Sequence, residues 1–186
     1  MPLDCHFRLA FASAIAALCT IAATPAVAQD DTRPVIAGFG AIHPLNGLAN
    51  PPDPARRYRV IFEVTRAASE AGKINPALDR VARFVNLLGA AGIRPAADDI
   101  VVVLHGPATP VVLSDEAYRE RFGTNNPDRD LVDALHEAGV SLHVCSYALA
   151  NAKIDHAAVA PGWSIDVAAM VTIVNHQLDG WVLLEG

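Results

Sequence analysis

Asp99-Ile-Val-Val-Val-Leu-His-Gly-Pro-Ala-Thr-Pro110 is the stretch on which the fold turns. Its apolar part, IVVVL, has strand length and is rich in β-branched side chains, with no polar residue to mark a wet face. An unbroken run of this kind predicts a strand buried on both sides, the mark of a sheet covered by helices front and back. His105 closes the run, and Gly106-Pro107 turns the chain away from it. Working outward, YRVIFEV at 58–64 and VSLHVC at 140–145 read as further strands, and WVLL at 181–184 as a last one. Between the first two, Asn75 caps a helix with Pro76 in its first turn, apolar residues recur from Leu78 to Leu88, and Gly92 stops it. Two short helices are predicted after the turn, from Ser114 to Gly123 and from Asn126-Pro127 to Gly139, and two more at about 146–154 and 164–177. Strands alternating with helices make right-handed βαβ units, so the expected fold is a single three-layer α/β domain with a mainly parallel sheet.

The segments before that domain have different characters. Residues 1–28 combine a start carrying Arg8, the small-apolar run LAFASAIAALCTIAA at 9–23, Pro25, and Ala26-Val-Ala28 before Gln29. These are the parts of a secretory signal peptide, so the mature chain is expected to begin at Gln29 in the periplasm, without a membrane anchor. Leu18 before Cys19 does not suit a lipoprotein site. Residues 29–57 hold Pro34, Pro44, Pro51, Pro52 and Pro54 with Gly38, Gly40 and Gly47, which excludes a regular helix or central strand. This arm is expected to lie extended on the domain or on a neighbouring subunit, through Val35, Ile36, Phe39, Ile42 and Leu45. The domain proper then spans 58–186.

Composition narrows the function classes. The 186 residues are 52% apolar and 18% charged, ample for a core. Fourteen Lys and Arg against twenty Asp and Glu leave a net charge of −6, which argues against nucleic acid or anionic lipid as a partner. Of the three cysteines, Cys5 and Cys19 leave with the leader; Cys145 remains alone and cannot form an internal disulfide.

In a parallel sheet, ligands sit outside the carboxyl ends of the strands. His105 closes the second strand, and His143 and Cys145 close the third, where side-chain alternation puts both on one face. A thiolate is the nucleophilic form of cysteine, and a helix start or a protonated histidine beside it favours that form. Cys145, His143 and His105 are therefore the candidate site. The alternative is structural: a strand-end cysteine is often a small core residue, and either histidine can serve packing or the turn. A metal is not expected, because His143-x-Cys145 and His105 offer at most three ligands without paired close spacing. No G-x-S-x-G, P-loop or C-x-x-C occurs, and Gly38-Phe-Gly40 lacks the third glycine of a dinucleotide fingerprint, so no cofactor is expected.

Taken in order, NPALDRVAR at 75–83, VVLHGPAT at 102–109, LSDEAY at 113–118, Asn126-Pro127, Ala138-Gly-Val140 and Val144-Cys145 resemble the DsrE/DsrF-like family, specifically its exported members, from about Tyr58 to Gly186. The resemblance implies flavodoxin-like layering, assembly as homotrimers or hexamers, and carriage of sulfur as a persulfide on a cysteine matched here by Cys145. Many exported members carry Cys-Gly-Gln at this point; this chain has Cys145-Ser146-Tyr147. The leading expectation is an exported sulfur carrier, sulfurtransferase-like if it is active, that uses Cys145 with His143 and His105 as partners for small sulfur species. The competing expectation is a non-catalytic oligomeric binding module with a buried cysteine. Assembly also has a physical motive: Ile165, Val167, Met170, Val171, Ile173 and Val174 point to more than one side of the last predicted helix, more than one contact with a sheet can bury.

Overall fold

The computed structural model describes residues 34–70 and 72–185; the leader expected at 1–28 and the start of the arm lie outside the described residues. Five strands form one sheet: β1 Val60–Val64, β2 Ile100–Leu104, β3 Ser141–Cys145, β4 Trp163–Asp166 and β5 Val182–Glu185. Their order is β4-β3-β2-β1-β5, and every neighbouring pair is parallel. The helices are α1 Pro76–Ala90, α2 Asp115–Phe122, α3 Arg129–Glu137, α4 Ser146–Ala152 and α5 Ala169–Leu178.

Side-chain alternation builds two cores of unequal size. Val60, Phe62 and Val64 of β1, Ile100, Val102 and Leu104 of β2, and Leu142 and Val144 of β3 face α1 and α3, which supply Leu78, Val81, Val85, Leu131 and Leu135. The other face presents Ile61, Val101, Val103 and Cys145 to Ala169 and Ile173 of α5. β2 is buried at every position, as its unbroken apolar run requires. At the head of α1, Asn75 Oδ1 accepts from the Ala77 and Leu78 amides at 2.9 and 3.4 Å, with Pro76 in the first position where its missing N–H costs nothing.

Two sequence expectations change and a third is narrowed to one of its alternatives. The helix predicted at 164–177 begins only at Ala169, and the residues before it form β4 at the sheet edge. Trp163 packs on the larger core while Ser164 and Asp166, in register with His143 and Cys145, face the other way. That two-residue period is too short to be heard against the apolar helix that follows, and the hydrogen bonds that make it a strand come from β3, far away in sequence. The turn after His105 is a 3₁₀ segment, Gly106–Val112. The arm, expected on the domain or a neighbour, lies on α1 of its own chain. Asn86, 1% exposed, accepts from the Ile36 amide at 2.8 Å and donates to the carbonyls of Ile36, Phe39 and Gly40 at 3.0–3.1 Å. Asp79 accepts from the Gly40 amide at 2.7 Å, and Arg83 donates to the Ala41 carbonyl at 3.1 Å. These α1 side chains satisfy backbone groups that the arm's irregular path leaves unpaired. Gly40, at φ +59°, rests so close to α1 that a Cβ there would stand 2.2 Å from the Arg83 nitrogen.

Candidate functional site

β2 and β3 end side by side, and the register that pairs Leu104 with Val144 places the next residues, His105 and Cys145, level with each other. The chain passes from Cys145 into α4 with no intervening loop, and from His105 into the 3₁₀ segment. Between these exits lies an open cleft of about 400 Å³ lined by His105, Gly106, Cys145, Tyr147, Ala148, Asn151 and Ala152. Cys145 is a free thiol, 7% exposed, at the floor of the smaller core. Tyr147 stands on the rim, 66% exposed. α4 has only seven residues, so its macrodipole is small and the cleft's side chains set the thiol's surroundings.

The structure brings two of the three expected site residues together and assigns the third a different setting. His105 and Cys145 share the cleft. His143 lies on the same face of the sheet as Cys145 but does not line the cleft. Its Nδ1 meets Asp166 Oδ2 at 2.9 Å and its Nε2 meets Ser141 Oγ at 3.3 Å. Thr172 Oγ1 donates to the same Asp166 oxygen at 2.5 Å, and the ring of His176 stands edge-on to His143 at 5.9 Å. This polar chain ties β3 and β4 to α5 beneath the sheet. His105 has its own carboxylate, since its Nε2 lies 2.9 Å from Oε1 of Glu63 on β1.

Glu63 and Asp166 are the polar partners that sequence reading did not single out. For Glu63 the signal was available, as one carboxylate inside an otherwise apolar strand. Asp166 was hidden by the helix expected over it. Among the described residues no three His, Cys, Asp or Glu side chains converge as a metal-binding group.

The family model of the DsrE/DsrF-like family matches residues 57–185, the whole sheet with its helices. Among solved structures, the chain is similar to a protein of unknown function, MTH1491 from Methanobacterium thermoautotrophicum, at a TM-score of 0.52 and 22% identity, over 69% of this chain and 99% of that one. Among curated proteins none matches. The structural likeness supports the layered parallel-sheet fold, and the span of the family match assigns the lineage: this chain belongs to the DsrE/DsrF-like family.

Proposed function

We propose that the protein carries sulfane sulfur as a persulfide on Cys145, outside the cytoplasm, as an assembly of identical chains. The observation that carries this reading is the shared cleft, which His105 and Cys145 both line at the adjoining ends of two parallel strands. Membership of a family with sulfur-relay members supports it. The step conserves atoms and electrons. The Cys145 thiolate attacks the outer sulfur of a donor persulfide R–S–SH, a bond forms from Sγ to that sulfur, and the donor's S–S bond breaks with its electron pair leaving on R–S⁻. Cys145 is left as Cys–S–SH, ready to pass the sulfur to an acceptor thiolate in the same way.

Intact mass measured on protein isolated without reductant, then incubated with a low-molecular-weight persulfide, tests this. The expected product gains the mass of one sulfur atom, loses it on reduction, and does not form in Cys145→Ser. A second reading, a binding module with an inert cysteine, is favoured by the thiol's low exposure. It is the outcome if native protein resists both the persulfide and a thiol reagent that labels the denatured chain. Export rests on the sequence of residues 1–28. Mature protein starting at Gln29 in the periplasmic fraction is the expected result, and full-length protein in the cytoplasm is the contrary one.

Assembly is supported by α5. Met170, Val171, Val174 and Leu178 form one stripe that stays 49–80% exposed, joined by Val167 at 73%. No charged side chain stands between Val167 and Leu178, so the face suits a second copy of itself better than a charged partner.

A further inference from the structure

Glu63 is the one charged residue of β1, whose other four positions are buried and apolar. In register it lies between Val103 of β2 and Glu185 of β5. A carboxylate placed within a sheet is costly unless it is paired. Its hydrogen-bond partner among the described residues is His105, with both side chains only about three-tenths exposed (28% and 29%). Glu63 and Cys145 belong to β1 and β3, and His105 directly follows β2, the strand between them. His105 is level with Cys145 on one side, and on the other it stands two residues beyond the Val103 position that pairs with Glu63. That diagonal is short enough for long side chains to meet across neighbouring strands.

We infer that Glu63 is a positioning residue, which holds His105 as the proton acceptor for the Cys145 thiol; this rests on the persulfide reading of the site. An ionised carboxylate only accepts, so His105 Nε2 must carry the proton of their bond, and the lone pair of the neutral ring is left on Nδ1. Among the described residues no hydrogen bond engages Nδ1 or the Cys145 sulfur. Nδ1 takes the thiol proton, directly or through one water, and the thiolate then attacks the donor persulfide. The resulting imidazolium faces the Glu63 carboxylate and returns its proton to the departing R–S⁻, which leaves as R–SH. A nucleophile, its base and a third group that orients the base is the general logic of an activated side chain. Glu63 and Cys145 are held within strands, and His105, the first residue beyond β2, is tied to β1 by its amide, which donates to the Val64 carbonyl at 3.0 Å.

The rate at which Cys145 reacts with iodoacetamide, read at pH 7 and at pH 10 in the full mature chain, tests the assignment. At pH 7, Glu63→Gln and His105→Gln should each slow labelling roughly tenfold or more, and the double variant should be no slower than His105→Gln alone. At pH 10 solvent hydroxide removes the proton and all the rates should converge. A Glu63→Gln protein that labels at the wild-type rate at pH 7 overturns the inference while leaving the persulfide reading intact. So does one slowed equally at both pH values, since that marks altered access. Wild-type protein that resists labelling at both pH values sinks the two together. Should Glu63→Gln fail to fold, as judged by circular dichroism, the His105→Gln rates decide: no loss at pH 7 refutes the base.

Discussion

Asp128, at the start of α3, is 3% exposed, and its Oδ1 accepts the Asn75 amide at 2.5 Å, joining the head of α1 to the head of α3. Burial pushes its carboxyl up from the usual 3.8 to about 6, against the smaller opposing effect of the Asn75 hydrogen bond. Its own burial, with a smaller contribution from the Asp128 charge, raises the neighbouring phenol of Tyr118. Because the folded chain holds the Asp128 proton more tightly than the unfolded chain, this group favours folding most below about pH 4. Its contribution is lost as pH rises from about 4 to about 6, and the loss is complete above that. Two pKa units correspond to about 3 kcal/mol. Asp128→Asn keeps an oxygen for the Asn75 amide and removes the titration. At pH 4 the unfolded carboxyl is already about half ionised, so urea unfolding at pH 4 and pH 8 should show the variant gaining about 2 to 3 kcal/mol relative to wild type between the two. Parallel pH profiles would show that the carboxyl is not held in this way.

At the scale of elements, α1 does two jobs with opposite faces. Leu78, Val81 and Val85 meet the sheet, while Asp79, Arg83 and Asn86 hold the arm. Asn86 is the centre of that second contact, because its amide both accepts from and donates to arm backbone that has no other regular partner. Asn86→Ala should destabilise by about 3 kcal/mol, from several hydrogen bonds and the buried groups left unpaired. It should also open residues 34–42 to limited proteolysis before the rest of the chain. Urea midpoints and the mapped cleavage sites check both; an arm that stays resistant would mean that Ile36 and the Gly40 contact suffice to hold it. The arm's place on α1 was not legible beforehand, since proline and glycine content says only what such a segment cannot be. Edge strand β4 was missed for a related reason: four residues with a two-residue period gain their identity from β3.

For the whole molecule, the unequal covering of the sheet matters most. One face is packed by α1 and α3, whereas the other receives α5, which turns Ala169, Thr172 and Ile173 inward and leaves its opposite stripe in water. Placing a charge in the middle of that stripe, as Val174→Asp, should leave the fold and its melting temperature nearly unchanged while shifting the mature protein from an assembly to a monomer. Light scattering at micromolar concentration reads the outcome. A wild-type monomer, or a variant that assembles as before, would remove α5 from the interface. Of the six residues expected on this helix, Ile165 lies in β4 and Val167 precedes α5; among the other four, Ile173 turns inward while Met170, Val171 and Val174 stay exposed among the described residues.

The sequence by itself determined the class of fold and the end of the sheet at which Cys145 and His105 lie. IVVVL at 100–104 can only be satisfied between two layers, the Asn75-Pro76 cap starts α1, and one-dimensional spacing puts His105 and Cys145 at strand ends, whereas His143 stands in the middle of β3. Such features depend on neighbours in the chain and on burial, which composition reports directly. Tertiary structure alone decided which of these residues meet. Strand order set β2 between β1 and β3, and so joined His105 to Glu63 and brought it to the cleft of Cys145, while β4 drew His143 toward Asp166. Those pairings join positions 42 and 23 residues apart in sequence. Local propensity carries no record of them, because they follow from the register of parallel strands, which is fixed only when the sheet assembles.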